Sequence, residues 1–143
     1  MDCFGCVIMN KNQLDFTKFI EAQGLYIERF DCDESVIFCF PHYLPSGARA
    51  KVICRFDKSK IVDIITYNYL KLYNSVRYEK VLEQINKLNS EKYRCITFIL
   101  DSERKIEIKA CVDTSNGFNP KKLFGMMIYM SNVMEDEFKT FME

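Results

Sequence analysis

Residues 93–112 read YRCITFILDSERKIEIKACV, and this stretch decides the fold. Two runs, 93–100 and 105–112, alternate with the two-residue period of strands around the turn Asp101-Ser102-Glu103-Arg104. Ile96, Phe98 and Leu100 share one face of the first run, and Ile106, Ile108, Ala110 and Val112 match them on the second. A hairpin with one apolar side needs cover, and the flanking segments supply it. Residues 75–89 carry a helical stripe of Tyr78, Val81, Leu82, Ile85 and Leu88, with Ser75 as N-cap. Residues 119–142 open with Asn119-Pro120, a cap followed by proline at the first helical position. That long, Met-rich helix keeps a core stripe of Leu123, Met127, Met130, Met134 and Phe138.

Upstream, residues 12–23 form a first helix, capped by Asn12 with Asp15 as its capping-box partner and buried through Phe16, Phe19 and Ile20. Gly24 stands where a left-handed residue ends a helix, and Leu25 can close the turn. Four strands follow, over residues 25–30, 35–40, 48–56 and 60–69. The second is almost wholly apolar, and Pro41 ends it or marks an edge. In the third, Ala50, Val52, Cys54 and Phe56 face one way, against Arg49, Lys51 and Arg55. The order α-β-β-β-β-α-β-β-α specifies an α+β fold, an antiparallel sheet with helices packed on it. We read residues 1–143 as one domain, with 1–11 as a flexible or strand-like extension.

The chain of 143 residues is long enough to bury roughly 68–70% of its extended surface. Its 48% hydrophobic content argues against disorder. Twenty basic and twenty acidic side chains cancel, so the basic excess of a phosphate-tracking protein is missing. Zero net charge also weakens repulsion between copies and favours self-association. The start, Met1-Asp2-Cys3-Phe4, lacks the basic and apolar regions of a signal peptide, and no apolar run approaches the ~20 residues of a membrane span. The expectation is a cytoplasmic protein in which Cys32, Cys39, Cys54, Cys95 and Cys111 act as small buried hydrophobes.

No motif marks a reaction. Cys3-Phe4-Gly5-Cys6 is a CxxC, but it lacks the preceding strand of a redox dithiol and the second ligand pair of a zinc site. A thiol or metal role for Cys3 and Cys6 is therefore an alternative reading. His42, the only histidine, has no nucleophile signature beside it, and the scattered glycines build no phosphate loop. Asp31, Asp33 and Glu34 lack a calcium-loop frame, and Glu135, Asp136 and Glu137 read as a solvated helix end. Arg49, Lys51 and Arg55 form the one basic strand face, an exposed surface or, as a second alternative, a weak RNA contact.

Apolar area is left over instead. Phe124, Met126 and Ile128 lie off the core stripe of the last helix. Tyr93, Cys95, Thr97 and Ile99, on the second face of the hairpin, are only half polar. Tyr93, Cys95, Ile99, Phe124 and Ile128 are accordingly the expected protein-interface residues.

The run Gln84-Ile85-Asn86-Lys87-Leu88-Asn89, then a strand, Asp101 in a turn, a second strand and Asn119-Pro120-Lys121-Lys122-Leu123, resembles the YbjN family. These are bacterial sensory-transduction-regulator-like proteins with a fold similar to type III secretion chaperones. The resemblance is best over residues 75–141. It implies an antiparallel sheet with helices against it, no known catalytic site and often a dimer, here a homodimer; no cofactor is expected. It carries nothing over to Cys3 or Cys6. The sequence thus points to a non-catalytic protein-binding or regulatory module.

Overall fold

The computed structural model describes residues 10–73 and 78–142. Cys3, Cys6 and Ser75 lie outside the described residues. Helix α1 spans Lys11–Ala22, and strands β1 to β5 follow as Glu28–Asp31, Val36–Tyr43, Arg49–Phe56, Ile61–Tyr67 and Leu70–Lys71. Helix α2, Tyr78–Lys87, runs into a π-type turn, Leu88–Lys92. Strands β6, Thr97–Leu100, and β7, Lys105–Asp113, form the hairpin, and α3 spans Pro120–Met142. All seven strands belong to one antiparallel sheet. The expected α+β class and element order hold. Among the described residues, no helix is long and apolar enough to cross a membrane.

The N-terminal cap differs in register from the expectation. Asn10, not Asn12, accepts from the Gln13 amide, and Gln13 replies to the Asn10 N–H. The reciprocal pair needs an acceptor three residues before a side chain that reaches back, and Gln13 does this while staying buried. The far end closes as read. Gly24 has φ +69°, and the amides of Gly24 and Leu25 bond back to Glu21 and Ile20.

Strand β2 continues through Pro41 to Tyr43. Its outer neighbour β1 reaches only as far as Glu28, opposite Cys39, so the missing N–H of Pro41 costs no ladder bond on that side. The expected strand over 60–69 is broken instead. Ile65 faces Lys109 but Leu70 faces Ile106, so five residues advance on one side against three on the other. The two extra residues make a bulge, with Asn68 at φ 61°.

Glu107 holds this bulge. Its carboxylate accepts from the Thr66 hydroxyl at 2.7 Å and from the amides of Asn68 and Tyr69 at 3.1 and 3.2 Å. The Thr66 hydroxyl in turn accepts from the Ile108 amide at 2.8 Å. Two side chains thereby replace the ladder bonds that the bulge removes. Burial pushes the Glu107 carboxyl above its ordinary range, against the pull of these three donors.

The helices lie on the face presented by Val36, Phe38, Val52, Cys54, Ile64 and Ile108, all buried. Phe16 of α1 packs edge-on against Phe38 at 5.2 Å and reaches Phe56 at 5.8 Å. Leu123, Met127, Met130 and Met134 of α3 are fully covered, as the stripe requires. Tyr69, turned inward by the bulge, donates its hydroxyl to the Met134 carbonyl at 2.8 Å and ties α3 to the sheet.

Replacing Glu107 with Ala strands three donors at the bulge. We expect a loss of about 1–3 kcal/mol in urea unfolding, with Thr66→Val showing a smaller, non-additive loss in the double variant. Additive losses would separate the two side chains.

Candidate functional site

The outer face of the sheet has no helix over it among the described residues. Register places Cys39, Ile53 and Ile65 side by side across β2, β3 and β4, and Ile37 beside Phe30 of β1. Ile37, Ile53, Ile65 and Ile99 are half-buried, and Phe30 is 47% exposed. Charged residues frame this band in opposite-sign pairs. Arg55 meets Asp63 at 2.8 Å, and Arg49 approaches Glu28 at 3.5 Å. Two members of the basic trio Arg49, Lys51 and Arg55 are therefore matched by acids from neighbouring strands, which blunts the row as a phosphate track.

The five expected interface residues do not form one patch. Ile99 pairs with Glu107 and lies on the outer face. Ile128 is 43% exposed, but it rides on α3, across the sheet from Ile99. Phe124 is half-buried, its ring 5.9 Å from both Phe19 and Phe40, so it closes the seam between α1 and β2. Cys95 is exposed but sits in a bend before β6. Tyr93 is a core residue, its ring 5.6 Å from Phe98. The bend at residues 94–95 delays the strand to Thr97, so the alternation that would set Tyr93 beside Ile99 fails.

Tyr93 belongs to a polar cluster that the sequence reading placed in solvent. Glu137 is 2% exposed, not a solvated helix end. It accepts from the Tyr93 hydroxyl at 2.5 Å, Lys92 at 2.6 Å and the Thr140 hydroxyl at 2.9 Å. Burial pushes its carboxyl up, but these three donors outweigh burial and hold it below the usual range. Burial and the bond to Glu137 push the Tyr93 phenol up, so it stays a donor. The spacing carries a signal for this: Glu137 lies three residues after Met134, on the inward stripe. Its donors come from α3, the π-type turn and Tyr93 just after that turn, so the cluster fastens these segments together.

The cysteines divide by position. Cys39 and Cys54 are buried, and burial pushes both thiols up, away from reactivity. Cys32, Cys95 and Cys111 are exposed, contrary to the expectation of burial, because each lies at a turn, in a bend or on the uncovered face. His42 meets Glu135 of α3 at 3.0 Å, a link between β2 and the last helix. Among the described residues, no group of three or more His, Cys, Asp or Glu side chains is placed to hold a metal ion.

Because its folded pKa is lowered, Glu137 adds stability above its unfolded value of about 4.3 and loses it as pH falls through the folded value. Glu137→Gln should cost about 1–3 kcal/mol at neutral pH and flatten part of the acid-side slope of urea unfolding. An unchanged slope would remove Glu137 from the acid response.

No family model, curated protein or solved structure matches the chain.

Proposed function

We propose that this chain is a non-catalytic protein-binding module of the cytosol, regulatory in the manner of the family it resembles, and that its contact surface is the uncovered sheet face. The supporting observation is a seven-stranded antiparallel sheet with helices against one side and isoleucines across the other. A sheet face meant only for water alternates to polar side chains. Here Ile37, Ile53, Ile65 and Ile99 occupy outward positions, with Phe30 at the margin. The favoured partner is a second copy. The paired charges around the band, Arg55 with Asp63 and Arg49 with Glu28, offer both signs on one surface, as a self-complementary contact needs. Zero net charge opposes association little. No cofactor and no catalytic residue enter this reading.

Sheet-to-sheet burial of about 800 Å² per partner would make a standard interface. The test pairs Ile53→Asp with Ile65→Lys, both on outward positions. Sedimentation should show a dimer for the unaltered chain and a monomer for the double variant, with thermal midpoints within a few degrees. A monomer at high concentration for the unaltered chain would overturn self-association. Persistence of the dimer in the variant would move the interface off this face.

A further inference from the structure

A cleft of about 400 Å³ opens where the loop between β2 and β3 approaches the β4–β5 bulge. This volume falls within the ~300–1,000 Å³ of small-molecule sites. Its floor is apolar: Leu44, Tyr69 and Phe138 line it and are all buried. Its rim is cationic, formed by Arg49, Lys71 and Lys105, and among the described residues no Asp or Glu lines it.

The three cations differ in what already neutralises them. Arg49 has Glu28 at 3.5 Å, and Lys105 has Glu103 at 3.2 Å. Lys71 has no carboxylate within 4.0 Å among the described residues; its ammonium stands 5.7 Å from the centre of the Tyr73 ring. With Arg49 and Lys105 already matched by acids, the unmatched charge on this rim is that of Lys71, beside an apolar floor, and a bound anion would neutralise it. The floor offers nothing to a second charge but does offer contact to a ring or short chain.

We propose that this cleft binds a small anion with an apolar body, of the class of aryl or short alkyl carboxylates and phosphate monoesters. The head group lies at Lys71, with Arg49 and Lys105 to either side, and the body rests on Leu44, Tyr69 and Phe138. The bulge makes the site, because it turns Tyr69 down into the floor and carries Lys71 to the rim. Arg49 borders both this cleft and the outer sheet face, whereas Lys71 belongs to the cleft alone.

The probes are 1-naphthoate and 1-naphthyl phosphate, which separate the two head groups, with uncharged 1-naphthol as the control. Titrations are followed by backbone amide shifts and calorimetry on the full chain. At least one anion should bind about tenfold or more tightly than naphthol, with shifts centred on residues 44–49, 68–73 and 105. Lys71→Glu should weaken that anion by about tenfold or more, and Ile53→Asp should leave it unchanged. If Lys71→Glu unfolds, a salt series on the unaltered chain decides, since an anion held by partly exposed cations weakens as salt rises. Equal binding of naphthol, binding insensitive to Lys71 or to salt, shifts centred on Ile53 and Ile65, or no binding of either anion would each overturn the proposal.

Discussion

The Glu107 carboxylate sits among three donors that the sheet cannot satisfy, and much of the molecule follows from that placement. Without it, the Tyr69 amide and the Thr66 hydroxyl would lose their partner inside the sheet, while the exposed Asn68 amide would turn to water. With it, β4 and β5 remain one interrupted strand along β7. The same bulge turns Tyr69 inward, where its hydroxyl reaches the Met134 carbonyl and anchors α3. It also shapes the cationic cleft at the end of the sheet.

Helix placement is the second organising fact. Phe16, Phe38 and Phe56 make a tight aromatic group that fixes α1, and the methionines of α3 fill the space beside it. All three helices are spent on this side. What remains for the other side is the short-range shelter that neighbouring side chains give one another.

The carboxylates show how alike residues diverge. Glu107 and Glu137 are both removed from bulk water and both accept from three donors, yet their acidities move in opposite directions. Glu107 takes only neutral donors, so burial prevails. Glu137 has the Lys92 ammonium at 2.6 Å, and a charge-assisted bond is strong enough to reverse the balance. Both fasten one element to another.

Periodicity and end signals in the sequence were sufficient for the element order, the hairpin of β6 and β7, the stop at Gly24 and the inward stripe of α3. These depend on local spacing, which the backbone reads directly. They also contained Glu137 on that stripe, though its charge argued for solvent until Lys92 and Tyr93 were known to be beside it. Local pattern did not determine the two-residue slip at Asn68, the bend that sends Tyr93 into the core, or the packing of Phe124 against Phe19 and Phe40. Those were decided in three dimensions, because each depends on what a distant segment offers: Glu107 from β7, Glu137 from α3, Phe40 from β2. Sequence alone set which faces are apolar, and only the tertiary structure decided which of them the described helices cover, since all of these pack against the same side.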